Sequence, residues 1–175
     1  ANRRQCEDAL TAEISRADRL NAPMTLVLAD LDDFKAVNDV HGHTVGDDVL
    51  REFASVLRAT VRDSDLAGRW GGEEFMLLLP GTDAAGGVQL ADRVRTSLGE
   101  RSFLGRDGEV VTVTCSFGVA QHRAGDHERE LFAAADRALY RAKREGKNRV
   151  ETGAVSGPFS TLGRETGLKR SKTGL

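Results

Sequence analysis

Hydrophobic residues recur every three or four positions in several stretches of the sequence, and this spacing predicts amphipathic helices. Small polar residues that precede two of these stretches suit helix N-caps. Gly146 follows the last stretch and suits a helix stop. The predicted helices cover residues 4–20, 32–38, a stretch from an N-cap at Asp47 or Asp48 to about 61, a stretch from an N-cap at Thr82 or Asp83 to 98, and 127–145.

Strands are predicted between these helices. Met24–Leu31 is almost continuously apolar, which is typical of a strand buried on both faces. The other predicted strands cover 65–70, 73–79, 110–120 and 149–152, and a hairpin at 103–109 leads into the strand at 110–120. Because the central pair forms a hairpin, it cannot be parallel. We therefore expect an α/β protein, an α+β sandwich with one central, mixed and largely antiparallel five-stranded sheet flanked by helices.

The turn between the two hairpin strands carries the most unusual residues of the chain. Gly71-Gly72 suits a two-residue turn whose central residues take positive φ. Two acids, Glu73 and Glu74, follow at once, although a turn by itself does not require acids. Adjacent carboxylates beside bare backbone offer a place where Mg²⁺ and a phosphorylated ligand can approach. A structural turn is the alternative interpretation.

Composition limits the classes of function. The chain has 175 residues, 39% hydrophobic and 30% charged, and a formal charge of -2, so we expect one globular domain without a general affinity for nucleic acid or anionic membranes. Cys6 and Cys115 match no zinc or redox spacing, which favours a cytoplasmic setting. The sequence contains no apolar run long enough to span a bilayer, no P-loop and no dinucleotide-binding glycine motif.

The expected organisation has three parts. Residues 1–22 form an N-terminal helix that reads as the truncated linker or stalk of an upstream domain, and residues 23–152 form the folded domain. Residues 153–175 are rich in Gly, Ser and Thr with scattered Lys and Arg, which predicts a flexible tail. The tail's few basic residues are weak support for nucleic-acid binding.

Acidic residues end one predicted strand and begin another. If these strands are neighbours, Asp30 and Glu73 meet at one edge of the sheet and form a minimal cation site, with solvated strand ends as the alternative. Side chains alternate along a strand, so Glu74 cannot point at the same metal without distortion.

Basic residues stand near the same elements. Lys143 and Lys147 flank the end of the last helix, where they suit either a phosphate clamp or a match to the helix dipole. Lys35 follows the acidic cluster and suits phosphate or a local ion pair. His41 and His43 lie in a glycine loop without a third ligand, so a metal site there has little support.

Several motifs in order resemble the GGDEF family of bacterial diguanylate cyclases, over about residues 24–150. They are Asp30-Leu-Asp-Asp-Phe-Lys35-Ala-Val-Asn38-Asp, Gly42-His43-Thr-Val-Gly46-Asp47, Arg69-Trp-Gly-Gly-Glu-Glu-Phe75 and Lys143-Arg-Glu-Gly-Lys147-Asn148. The resemblance implies a fold like that of nucleotide cyclases and polymerase palms. It also implies that two GTP condense to cyclic di-GMP with loss of two pyrophosphates, in a homodimer with one GTP per protomer.

The resemblance also implies roles for individual residues. Mg²⁺ or Mn²⁺, two per active site, would be held by Asp30, the Leu31 carbonyl and Glu73. Glu73 would also accept the proton, and Lys35 would stabilise the transition state, with Glu74 in a supporting or second-metal role. The residues that would bind GTP are Phe34, Asn38, Asp47, Leu50, Gly71, Gly72, Lys143 and Lys147. Asn38 and Asp47 would read guanine, and the acid at 47 implies GTP rather than another nucleotide.

Regulation is implied as well. Arg62 and Asp65 match the family's RxxD motif, which binds product and inhibits the enzyme, with a second arginine from Arg93 or Arg95. An upstream sensory or receiver domain would bring two protomers together. The family's N-terminal Leu-x-Asn-Arg motif survives only as Ala1-Asn2-Arg3-Arg4, and His41 replaces the aromatic residue common there. A catalytically weak module that binds GTP or cyclic di-GMP is the alternative function.

Overall fold

A five-stranded sheet lies between two layers of helices in the computed structural model, which describes residues 1–155. The helices are α1 (Arg3–Leu20), α2 (Phe34–His41), α3 (His43–Thr60), α4 (Ala84–Gly99) and α5 (Glu128–Arg144), and the strands are β1 (Met24–Leu31), β2 (Leu66–Arg69), β3 (Glu74–Pro80), β4 (Phe103–Leu104), β5 (Val110–Val111), β6 (Cys115–His122) and β7 (Val150–Gly153). The strand order in the main sheet is β2-β3-β1-β6-β7, and every neighbouring pair is antiparallel except β6 with β7. The predicted mixed, largely antiparallel sheet is therefore confirmed.

Alternation along β1 divides the core into two parts. Leu26 and Leu28 face α1 and α5, whereas Val27 and Ala29 face α3 and α4. Both sets are buried, because each face of the sheet is covered by helices. The central strand is therefore apolar at nearly every position until it reaches Asp30, where the helical cover ends.

The start of α3 differs from the sequence prediction. The helix that was expected to begin at Asp47 or Asp48 begins at His43, so neither aspartate is an N-cap. Gly42, at φ 88°, makes the break between α2 and α3 alone, and the rest of the glycine loop is helical.

The predicted strand 110–120 is also divided. Its first part pairs with β4 in a separate two-stranded sheet, and the main sheet resumes only at Cys115. The backbone N–H of Asp32 donates to the Thr114 carbonyl at 2.8 Å, one residue beyond the last register pair, Leu31 with Cys115. His41 Nδ1 lies 2.6 Å from Glu109 Oε1 and ties the small hairpin to α2.

The turn between β2 and β3 is wider than predicted. It spans four residues, Trp70–Glu73, and neither glycine takes a positive φ, so the two-residue turn was a wrong prediction. The Arg69 guanidinium holds the turn by donating to the carbonyls of Gly71 at 3.1 Å and Gly72 at 3.0 Å. A Cβ on Gly71 would lie 2.5 Å from a carboxylate oxygen of Glu74, so the exposed Glu74 side chain would have to shift to admit it.

The cap of α4 and the start of the C-terminal tail were also predicted from the sequence. Asp83 caps α4 by accepting from the Gly86 amide at 2.8 Å, as predicted. The predicted tail lies outside the described residues from 156 onward, and Gly153 itself belongs to β7. Within residues 1–155, no helix has the length and apolar content that a bilayer crossing requires.

Candidate active site

Three acidic residues, Asp30, Glu73 and Glu74, meet where β1 ends and β3 begins. Asp30 is the register partner of Glu74, and the backbone N–H of Leu31 donates to the carbonyl of Glu73 at 3.3 Å. The predicted meeting of the two strand ends is confirmed. The residue paired with Asp30 is Glu74 rather than Glu73, because β3 begins one residue later than expected. Glu73 lies directly beside Leu31 through its backbone.

Burial and neighbouring negative charge raise the pKa of two of these carboxyl groups. Burial raises the pKa of Asp30 above its usual range despite the nearby lysine. Partial desolvation raises the pKa of Glu74 too, and the negative charges of Asp30, Glu73 and Asp136 add to that effect. A cation between these groups would relieve the repulsion.

Lys143 brings positive charge to this strand edge from α5. Its ammonium donates to Asp30 Oδ1 at 2.5 Å and to the Leu31 carbonyl at 3.2 Å, and it lies 3.0 Å from Asp32 Oδ1. Burial alone would lower the pKa of Lys143, but the hydrogen bonds to the two aspartates outweigh burial and raise it.

The same oxygens fit a hard cation. Asp30 and the Leu31 carbonyl already converge on one positive group, and carboxylate and carbonyl oxygens are what Mg²⁺ and Mn²⁺ prefer. In the part of the chain that the structure describes, no three His, Cys, Asp or Glu side chains are arranged to hold a metal on their own. Phosphate and water oxygens would have to complete the shell, as is usual for Mg²⁺ with nucleotides.

The turn between α5 and β7 has a strained backbone. Gly146, Lys147 and Asn148 have successive φ angles of 116°, 60° and 45°, in the left-handed region that only glycine adopts freely. Lys147 Nζ donates to Asp33 Oδ1 at 2.6 Å, and Asp33 is itself left-handed at φ 53°. Such strain is typical of functional sites. The turn brings Lys147 to the β1–α2 junction, which Lys143 reaches from α5.

Asp32 is the residue that sequence reasoning missed. It is 5% exposed, and its carboxylate accepts hydrogen bonds from Thr114 and Ser116 at 2.7 Å each and from the Asn148 amide at 3.0 Å. Burial alone would raise the pKa of Asp32, but these bonds and that of Lys143 lower it. The polar alternation of Thr114 and Ser116 in an apolar strand was the available signal.

A second part of the site is a cavity of about 490 Å³ on the α3 side of the sheet. Asp47 and Leu50, two of the residues predicted to bind GTP, line it together with Arg51, Arg58 and Phe75. Asp47 is exposed and Leu50 is buried, which presents an acid and an apolar surface side by side.

The remaining predicted substrate residues lie on α2. Asn38 packs against α3 at Gly46, one residue before Asp47, and this contact exists only because Gly46 has no Cβ. Lys35 is exposed on the first turn of the helix. Phe34 is buried in the core between the sheet and α3, so its ring packs rather than lining the cavity.

The candidate inhibitory residues lie on the loop after α3 and on α4, and one of them, Arg95, reaches the turn at Asn148. The Arg62 amide donates to Asp65 Oδ2 at 2.9 Å, so the two residues close a turn and leave the Arg62 side chain exposed. Arg93 lines a surface cavity of about 480 Å³ with residues of α3 and α4. Arg95 instead donates to Asp92 at 2.8 Å and to the Asn148 side chain at 3.2 Å.

The chain is similar to known proteins over most of its length. The family model described as "Diguanylate cyclase, GGDEF domain" matches residues 1–149. Diguanylate cyclase DgcP of Pseudomonas aeruginosa is 39% identical over 86% of this chain and 22% of its own length, and diguanylate cyclase DgcM of Escherichia coli K12 is 45% identical over 72% and 30%. The chain therefore spans less than a third of the length of these relatives.

A solved structure is similar over most of its length. It is the GGDEF domain of DgcB from Caulobacter crescentus in complex with c-di-GMP, with a TM-score of 0.83, 33% identity, and coverage of 87% of this chain and 90% of that one.

Proposed function

Because the chain belongs to the GGDEF-domain diguanylate cyclase family, we propose that it condenses two GTP into cyclic di-GMP and releases two pyrophosphates. The observation that carries the proposal is the convergence of Asp30, the Leu31 carbonyl and Lys143 at one strand edge. This edge lies beside the GGEEF turn, the segment Gly71-Gly72-Glu73-Glu74-Phe75. This arrangement supplies both signs of charge that a nucleoside triphosphate with its metal requires.

Substrate recognition is divided between the two parts of the site. The carboxylate of Asp47 accepts the N1–H and 2-amino protons of guanine, and the Asn38 amide serves the remaining edge. Leu50 packs against the base. Lys143 and Lys147 hold phosphate oxygens, and their positions at the end of α5 and on the left-handed turn support this role.

The reaction forms a bond between the 3′-oxygen of one GTP and the α-phosphorus of the other, and breaks the bond to pyrophosphate. Glu73 accepts the proton of the 3′-hydroxyl, Lys35 stabilises the charge that develops on phosphorus, and Glu74 supports the site from its position beside Asp30. Mg²⁺ or Mn²⁺ held by Asp30, the Leu31 carbonyl and Glu73 would neutralise the triphosphate and activate the attacking hydroxyl.

Assembly and regulation follow from this chemistry. One protomer holds one GTP, so two protomers must face each other to complete both bonds. Product binds at the RxxD turn of Arg62 and Asp65, and Arg93 supplies the second guanidinium, because Arg95 is engaged with Asp92 and Asn148. The similar DgcB domain is described in complex with c-di-GMP, which supports a product site. An upstream sensory or receiver domain sets the dimer.

The test is incubation of the concentrated protein, and of a version fused to a dimeric coiled coil, with GTP and Mg²⁺, followed by analysis of the nucleotides. Cyclic di-GMP and pyrophosphate should form, and Glu73→Gln should abolish them while it leaves affinity for a GTP analogue within a few-fold. If the forced dimer binds GTP but makes no cyclic di-GMP, the chain is a nucleotide-binding module instead.

A further inference from the structure

Asp32 binds donors from three separate elements. Its two oxygens divide them evenly: Oδ1 faces the Ser116 hydroxyl and the Lys143 ammonium, and Oδ2 faces the Thr114 hydroxyl and the Asn148 amide. A carboxylate has lone pairs for all four, so this buried charge is fully satisfied.

Two of these donors belong to the strained turn and to the helix that precedes it. Left-handed φ angles at Lys147 and Asn148 cost free energy and persist only where surrounding contacts hold them. The bond from the Asn148 amide to Asp32 is one such contact. Lys143 lies between Asp30 and Asp32, so both carboxylates fix where its ammonium points.

From this geometry we infer that Asp32 is a positioning residue, which acts on the phosphates of the substrate only through Lys143 and the turn at Lys147 and Asn148. The inference rests on the proposed binding of GTP at this site. Asp32 itself is too buried to touch the nucleotide, and its hydroxyl donors anchor it to β6 in the middle of the fold. It therefore transmits the rigidity of the sheet to the phosphate-binding lysines.

The amide isostere gives a sharp test. In Asp32→Asn, one of the two oxygens becomes an NH₂ group. The hydroxyls of Thr114 and Ser116 can rotate to accept from it, but the Lys143 ammonium and the Asn148 N–H cannot. Whichever way the amide is turned, one of the two groups loses its partner.

The matched controls remove a hydroxyl and leave Asp32 in place. Thr114→Val and Ser116→Ala each delete one donor but keep the bonds to Lys143 and Asn148. They should lower the melting temperature and weaken nucleotide binding less than Asp32→Asn does, because the other hydroxyl and the bonds to Lys143 and Asn148 remain. Asp8→Asn, at an exposed position on α1, serves as the control for loss of a surface charge.

Amide hydrogen exchange measured by NMR reports whether the turn is held. If the NH₂ of Asp32→Asn faces Asn148, exchange at Asn148 should accelerate about tenfold, the effect of one lost hydrogen bond to a charged group; if it faces Lys143, the Asn148 rate holds and the loss shows in nucleotide binding. Exchange at Glu145, whose amide donates to the Arg141 carbonyl at the end of α5, is the internal reference. If the Asn148 rate is unchanged relative to Glu145 in Asp32→Asn, and affinity for a GTP analogue is unchanged too, the inference fails.

Binding of a non-hydrolysable GTP analogue with Mg²⁺ then reports the consequence, in a double-mutant cycle of Asp32→Asn with Lys143→Met. Asp32→Asn alone should weaken binding by about 10- to 100-fold. Most of that loss should disappear when Lys143 is already absent, since coupled residues are not additive. An equal loss in both backgrounds, together with an unchanged exchange rate at Asn148, would show that Asp32 has a merely structural role.

The outcomes separate the two proposals. A protein that binds the analogue but makes no cyclic di-GMP refutes the proposed reaction, and the cycle still decides the role of Asp32. A wild-type protein that fails to bind the analogue overturns both.

Discussion

Replacement of Gly46 by alanine tests how α2 and α3 are held together. A Cβ at this position would overlap the side-chain oxygen of Asn38, with Asn38 Cγ at 2.9 Å and Phe34 Cζ at 3.2 Å. Phe34 is buried and cannot retreat, so Asn38 must move. Asn38 is the residue proposed to read guanine, and the substitution should therefore affect both stability and recognition.

Two opposing effects set the magnitude. Gly46 lies inside a helix without a positive φ, so alanine gains about 1 kcal/mol in helix propensity. Overpacking costs about 1–3 kcal/mol, which should cancel or exceed that gain. Gly99 is the last residue of α4, and a Cβ added there would meet nothing within 4 Å, so Gly99→Ala shows the propensity gain alone. The two variants should differ by about 2–12 °C in melting temperature.

The assays are thermal unfolding and GTP turnover. Gly46→Ala should melt below Gly99→Ala, and its kcat/KM should fall by up to about tenfold, the effect of one displaced hydrogen bond. Gly46→Ala combined with Asn38→Ala should recover stability but not turnover, because the clash is removed together with the guanine contact. If Gly46→Ala melts as high as Gly99→Ala, Asn38 does not depend on the missing Cβ.

Three further predictions concern charge. Glu74→Gln should raise the melting temperature at pH 7, because a raised pKa means that ionisation of Glu74 opposes folding, and the gain should vanish as the pH falls toward about 4; an unchanged gain at low pH would contradict this. Arg62→Ala and Arg93→Ala should each relieve inhibition by cyclic di-GMP without abolishing turnover, whereas Arg95→Ala should leave inhibition in place; dose–response curves decide between them. Chelation of divalent metal should stop turnover and weaken binding of a GTP analogue, and Asp30→Asn should make that affinity insensitive to Mg²⁺ in calorimetric titrations.

The periodic pattern predicted the main sheet and its helices because each face carries a continuous apolar core. It failed where a side-chain contact, rather than burial of an apolar face, accompanies the local backbone conformation. The predicted two-residue turn at Gly71-Gly72 became four residues because Arg69 binds the carbonyls inside it. α3 begins before the predicted cap, and Gly46 lies inside the helix, where its missing Cβ leaves room for Asn38.

The candidate site shows the same limit. The proximity of Asp30 to the GGEEF turn could be predicted, since Asp30 stands where one apolar run ends and Glu73 and Glu74 stand where another begins. The pairing of Asp30 with Glu74 depends on register, which a shift of one residue reverses. The importance of Asp32 could not be predicted from local spacing, because its partners are 82 to 116 positions away in the chain.

Because the residues of the site are far apart in the sequence, an intact site indicates that the whole domain has folded. Lys143 and Asp30 are 113 positions apart, and the strained turn lies between the last helix and the last strand of the sheet. Contacts at such distance form late, because the loop must first be closed at an entropic cost. Nucleotide binding should therefore be the final property to return on refolding, after secondary structure and core burial have already recovered.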